Sequence, residues 1–238
     1  HRVAAEVGPS SPWSRGRLRI LSWVCNALFT VFLGMHREPV PINLFLGLLL
    51  NSILFPDADT SPDATLLVDV AGGLGHDIDD FKKMYPNHPD QKLILWDLPV
   101  VINDVEGIDT SIELMGHDFL TEQPIKGVKA YFMHSIMHDW PDDVCKKILA
   151  SLAEAMKPGY SKMLIFEVVI PRTGAWREAI AGDILMLTQL STLERTEDHW
   201  HQLVEERGLN LRIVKFWKCG QSDVENLIEY ELVAQRTD

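Results

Sequence analysis

The sequence predicts an α/β fold, a doubly wound, Rossmann-like sheet preceded by a short, mostly helical N-terminal segment, and three observations carry that reading. From Leu66 onward, short apolar runs alternate with helical patterns, as βαβ units require. The first run, LLVDV, passes directly into the glycine-rich turn AGGLGHD and then a helix. Ahead of it, PDADTSPDAT at residues 56–65 clusters proline and aspartate as a linker does, which divides the chain into 1–55, the linker 56–65 and a domain over 66–238.

Strands are predicted at Leu66–Val70, Lys92–Asp97, Ile112–Gly116, Ala130–His134 and Met163–Val169, and helices over 77–84, 99–105 and 142–156. The last of these opens on Asp142 and Asp143, which suit the positive end of the helix dipole, and stops at Lys157-Pro158-Gly159. Two further helices fall at 177–193 and 196–206, with the apolar face Ile184, Leu185, Met186, Leu187 and Leu190 assigned to the core. Leu211–Val233 reads as a closing pair of strands.

Two apolar runs precede the linker. Residues 18–35 lie behind Arg15 and Arg17 but are broken by Arg19, Ser22, Asn26 and Thr30, and Ile42–Phe55 contains Asn43 and Asn51. Both are short of the ~20 clean apolar residues of a spanning helix, so they read as a buried or partner-facing helix pair rather than a membrane anchor. A start at His1, with no initiator methionine, points to a true N-terminus farther upstream.

Composition narrows the partners. With 238 residues, 46% of them apolar, the chain can bury a sizeable core. A net charge of -12 with scattered Lys and Arg argues against a nucleic-acid backbone as ligand. Cys25, Cys145 and Cys219 form no CxxC pair, which fits a reducing, cytoplasmic setting and neither a disulfide framework nor a zinc site.

The glycine turn marks the first functional region. Glycines let a ligand approach the backbone at the strand ends, and Asp97, closing the next strand, stands where a carboxylate grips ribose hydroxyls. These residues imply an adenosine-bearing cofactor without naming it. A dinucleotide fingerprint would need Gly or Ala at position 78, which is Ile78, and that counts against an NAD-dependent dehydrogenase.

The second region is YFMHSIMHDWPDD at 131–143, where a strand delivers His134 and His138 to the carboxyl edge of the sheet. A histidine titrates near neutrality and can take the proton from a hydroxyl as its oxygen attacks an electrophile. Glu167 and Glu194 are both candidates to accept from its Nδ1–H and aim Nε2 at the substrate, although periodicity does not say that they converge. Plainer roles stand beside these: a helix cap for the histidine, a solvated Glu194–Arg195 ion pair, and surface positions for His199 and His201. No metal site is expected, because His134 and His138 on a strand end lack the geometry of a helical ligand pair.

Taken in order, VDVAGGLGHD, LWDLPVVI, GHDF, HSIMHDWPDD, KPGYSKMLIFEVVIP and LERTE resemble the plant and fungal small-molecule O-methyltransferases, the fungal branch above all, from about Thr65 to the C-terminus. The resemblance implies S-adenosylmethionine as cofactor and a phenolic or polyketide-like hydroxyl of a secondary metabolite as methyl acceptor. It implies that Asp97 holds the ribose, Asp118 and Phe119 bracket the adenine, Gly72 and Gly73 meet the methionine portion, and His134 lies beside the cofactor. By the same resemblance His138 is the general base, Glu167 and Glu194 flank it, and Met186 lines the acceptor pocket.

Two departures accompany the match. Ala71 stands where the family has a glycine, a change that is harmless at negative φ and costly at positive φ. Residues 1–55 are shorter than the family's helical domain, which forms the homodimer and closes the acceptor pocket. A cofactor-binding but catalytically silent module, or a fragment, is therefore the alternative expectation.

Overall fold

A computed structural model describes residues 42–86, 91–205, 209–219 and 225–233. The expectations for residues 1–41, the apolar run at 18–35 among them, lie outside the described residues. In chain order the elements are α1 (Ile42–Leu54), β1 (Thr65–Val70), α2 (His76–Met84), β2 (Lys92–Asp97), α3 (Pro99–Ile102), β3 (Ile112–Gly116) and β4 (Ala130–His134). After a 3-10 turn at Met137–Asp139 come α4 (Asp142–Ala155), β5 (Lys162–Ile170), α5 (Arg177–Leu190), β6 (Arg195–Thr196), α6 (Glu197–Glu205), β7 (Leu211–Lys218) and β8 (Glu225–Leu232).

The strands form one sheet in the order β3-β2-β1-β4-β5-β8-β7, with β6 pairing the end of β5. The run from β3 to β5 is parallel, and β8 lies antiparallel between β5 and β7. The chain winds outward from β1 to β3, then returns to place β4 on the other side of β1. A crevice therefore opens between the carboxyl ends of β1 and β4, the topological switch point where open α/β sheets bind ligands.

Helices cover both faces, which is why the inner strands read as continuous apolar runs rather than alternating ones. Successive residues still part company: Val68, Val70, Trp96, Tyr131 and Met133 pack with Ile148, Leu149 and Leu152 of α4 and Trp200 of α6. Leu67, Leu95, Phe132 and Phe166 pack on the other side with Ile78 and Phe81 of α2.

Leu50 and Leu54 of α1 belong to that second cluster, so α1 is part of the same compact unit, which begins at Pro41. The helical segment before the linker is thus continuous with the domain at its C-terminal end, because its apolar face has core to bury against. The boundary drawn at residues 56–65 separates elements that share a core.

The apolar face assigned to α5 needs correction. Met186 is buried, but Ile184 is 56% and Leu187 61% exposed. The stripe that faces the domain is Ala179, Gly182 and Met186, and the helix carries more apolar residues than one stripe can bury. His199 and His201 lie on the exposed side of α6, as the surface reading expects.

Candidate active site

The glycine turn leaves β1 at Ala71, whose φ of 58° is left-handed. That conformation costs an L-residue roughly 1–2 kcal/mol, and the turn is held there by Ala71 N–H donating to the Trp96 carbonyl at 2.7 Å. The departure at Ala71 is therefore of the costly kind. Gly72 is dictated by space: a β-carbon there would stand 2.4 Å from Asp69 Oδ2 and 2.6 Å from Leu95 Cδ1.

Asp97 ends β2 opposite Gly116 and accepts from Gly73 N–H at 2.9 Å and Leu98 N–H at 2.6 Å. Burial raises its pKa, against the pull of those two donors. Beyond β3, Asp118 closes a tight turn by accepting from Leu120 N–H at 2.9 Å, and Phe119 meets Trp140 edge to face at 5.9 Å. Trp96 Nε1–H donates to the His117 carbonyl at 3.0 Å, which ties the GHDF segment to the end of β2.

His134, at the end of β4, pairs through Nδ1 with Asp77 Oδ2 at 2.7 Å. Burial pulls its pKa down, but the Asp77 carboxylate outweighs that and leaves it raised. Asp77 sits in the first turn of α2, so this pair spans the crevice between β1 and β4.

Asp69, not anticipated among the site residues, lies in the wall of the same crevice. It is buried on β1 with neither carboxylate oxygen in a hydrogen bond, and burial together with Asp77 and Asp97 raises its pKa well above the usual range. The nearby His134 pulls the other way without offsetting this. A lone carboxylate inside a buried apolar strand is the signal that the sequence carried for it.

His138 occupies the 3-10 turn after β4, reached through Ser135, another residue at positive φ. Its Nδ1 is 3.0 Å from Glu194 Oε1 and 3.6 Å from Glu167 Oε2, while Nε2 is 3.6 Å from Asp139 Oδ1. A carboxylate accepts, so Nδ1 carries a hydrogen toward Glu194, and in the neutral ring Nε2, beside Asp139, is the nitrogen without one. Burial opposes the charged ring, but Glu167, Glu194 and Asp139 prevail and push its pKa up to about 10.

Glu167 is buried on β5 and accepts from Ile136 N–H at 2.8 Å and Met137 N–H at 2.6 Å with its other oxygen. Burial first, and the nearby Glu194 charge, raise its pKa. Glu194, also buried, is oriented by its own N–H, which donates to Asp183 of α5 at 2.9 Å. The structure thus brings His138, Glu167 and Glu194 together, which periodicity left open. Their ligand atoms lie within 4.8 Å of one another, close enough to hold a metal ion, a possibility the strand-end geometry of His134 and His138 did not suggest.

Met186 is buried on α5, the helix that packs against the His138 turn. Arg195 was unforeseen. The guanidinium does not pair with Glu194: it is 2% exposed, bonds Asp142, and donates to the Met137 and Trp140 carbonyls.

A sheet with a glycine turn and a terminal aspartate at its switch point, and a carboxylate-flanked histidine one strand away, defines an α/β domain with a ligand-binding crevice. The model of the O-methyltransferase domain matches residues 56–210, and the chain belongs to that family. It is 41% identical over 180 residues to the O-methyltransferase asqD of Emericella nidulans, covering 75% of this chain and 46% of that protein. It is 38% identical over 151 residues to the demethylsterigmatocystin 6-O-methyltransferase stcP of the same organism, covering 63% of this chain and 72% of that one.

Among solved structures, LepI in complex with S-adenosylmethionine aligns with a TM-score of 0.74 at 30% identity, over 89% of this chain and 54% of that chain. OxaC in complex with S-adenosylhomocysteine and oxaline aligns with a TM-score of 0.70 at 29% identity, over 91% and 53%. A structure of a pericyclic reaction enzyme aligns equally well, with a TM-score of 0.74. The chain spans about half the length of most of the curated relatives it matches, 46% of asqD. Among the described residues no helix is long and apolar enough to cross a membrane.

Proposed function

We propose that this chain is the catalytic domain of an enzyme that transfers a methyl group from S-adenosylmethionine to a hydroxyl of a small phenolic or polyketide-like metabolite. The observation that carries the reading is the convergence of Glu194 and Glu167 on Nδ1 of His138, at 3.0 and 3.6 Å. In the neutral ring that arrangement leaves Nε2 to take the acceptor proton.

The crevice fits the cofactor. Gly72 has no room for a side chain, Asp97 offers remaining lone pairs to ribose hydroxyls, and the buried Asp69 carboxyl has hydrogen-bonding capacity left for a ligand. Asp118 and Phe119 would hold the adenine, Gly73 and His134 the remainder, and Met186 would line the acceptor pocket.

When bound, the cofactor supplies an electrophilic methyl on sulfonium. The chain contributes alignment and a proton acceptor, which suffice for an in-line displacement. A phenol titrates near 10, as Tyr does, and the carboxylates that push His138 up to about 10 make its neutral form a stronger proton acceptor while leaving that form the minority one near neutral pH. Glu194 and Glu167 stabilise the imidazolium that results. The lid of the acceptor pocket and a homodimer contact would come from sequence ahead of the glycine turn, and the cysteine pattern supports a cytoplasmic setting.

Labelled methyl transfer from S-adenosylmethionine to a panel of phenols, with His138→Ala as control, tests the reading. Unchanged turnover in the variant would remove His138 as the base. A second reading has one observation in its favour, the similarity to a pericyclic reaction enzyme on this fold. Cofactor binding by calorimetry with no methyl transfer to any hydroxyl would support that reading, or a silent module.

A further inference from the structure

We propose that Arg195 is a positioning residue that fixes the turn bearing His138 and so sets the direction in which the imidazole meets the acceptor hydroxyl. The inference rests on the reading of His138 as the base.

The turn is pinned from two sides. On the amide side, one oxygen of Glu167 accepts from Ile136 and Met137. On the carbonyl side, Arg195 spans the turn: NH1 donates to Met137 O at 2.8 Å, and NH2 donates to Trp140 O at 2.8 Å. His138 lies between those two carbonyls. The guanidinium is itself held by Asp142 Oδ1, through Nε at 3.1 Å and NH2 at 2.8 Å, and lies 5.6 Å from the Trp200 ring.

Glu194, the preceding residue, bonds the ring of His138 while Arg195 bonds the backbone that carries it. Consecutive side chains therefore hold both ends of one catalytic group, anchored where Arg195 pairs with Val169 of β5. Only a planar fork with several donors satisfies two carbonyls and a carboxylate together, and a lysine ammonium does not reproduce that geometry. A displacement of about 1 Å at a catalytic group can cost on the order of a hundredfold in rate.

The test uses Arg195→Lys, Arg195→Gln and Asp142→Asn in the full chain, with three readouts: the His138 ring titration by NMR without cofactor, kcat against KM, and S-adenosylhomocysteine affinity. In Arg195→Lys, kcat is expected to fall tenfold or more, with KM for the cofactor and its affinity within twofold. The ring titration should move down from about 10 by at least one unit as the carboxylate contacts loosen. Arg195→Gln should lower kcat further.

Folded variants with wild-type titration and kcat overturn the proposal. So does a lowered melting temperature with neither quantity changed, since that is a structural role alone. Should Arg195→Gln fail to fold, Arg195→Lys and Asp142→Asn carry the test; the Asp142 side chain is exposed, and its variant should show a smaller shift of the same sign. If the wild type binds cofactor but methylates no hydroxyl, the functional reading fails, and the NMR arm still decides whether Arg195 orients His138.

Discussion

Nδ1 of His138 and Oε1 of Glu194 lie 3.0 Å apart although 56 residues separate them in the chain. The contact joins the end of β4 to the segment leaving α5, and it determines which ring nitrogen is free for chemistry. Removing its charge should show in both the size and the pH dependence of the reaction.

Glu194→Gln is expected to lower kcat by about 10- to 100-fold, a fraction of what general base catalysis supplies. On the proposed reading of His138 as the base, the acid limb of kcat/KM should move to lower pH, because one of the charges that push the ring up to about 10 is gone. A pH-rate profile of both proteins checks this, and an unmoved limb would show that another group titrates.

The same contact predicts a pH window for stability. His138 has a folded pKa raised from 6.5 to about 10, so its stabilisation is fully present below about pH 6.5 and is lost as pH rises through about 10. Its magnitude is on the order of a few kcal/mol. Urea unfolding of the wild type and His138→Gln from pH 6 to 10 should show the difference between them shrinking as pH rises.

Neighbouring positions in the glycine turn should respond in opposite ways. Ala71→Gly relieves a left-handed φ of 58° and is expected to add up to about 1 kcal/mol, a rise in Tm of roughly 2–4 °C. Gly72→Ala drives a methyl to within 2.4 Å of Asp69 Oδ2 and should cost about 1–3 kcal/mol. It should also weaken S-adenosylhomocysteine binding at least tenfold. Thermal melts and calorimetry on the two variants decide it.

Asp97→Asn takes a charged acceptor from the Gly73 and Leu98 amides and, on the proposed reading, from the cofactor ribose. Cofactor binding should weaken by about 10- to 100-fold, in line with one or two charge-assisted hydrogen bonds. Calorimetric titration with S-adenosylhomocysteine is the measurement, and an unchanged affinity would place the ribose elsewhere.

Much of this molecule was legible from residue order. The strands Lys92–Asp97, Ile112–Gly116 and Ala130–His134 fall where their apolar runs predicted, and α4 begins on Asp142 as its acidic first turn required. These are local properties, set by side-chain periodicity and by the free amides of a helix start, and they survive without knowledge of neighbours. The motifs from VDVAGG to LERTE likewise pointed to the family that the domain match supports.

What stayed hidden depends on contacts between distant segments. Ile184 and Leu187 read as core but are exposed, since α5 has only one face toward the domain. A solvated pair with Glu194 was the plain alternative for Arg195, yet its guanidinium is buried against carbonyls over 50 residues away. Residue types and spacing therefore established the sheet, the glycine turn and the candidate histidine. Convergence of Glu167, Glu194 and Arg195 on that histidine arose from the parallel pairing of β5 with β4 and β6, because side-chain distances across a fold are not encoded in any local period.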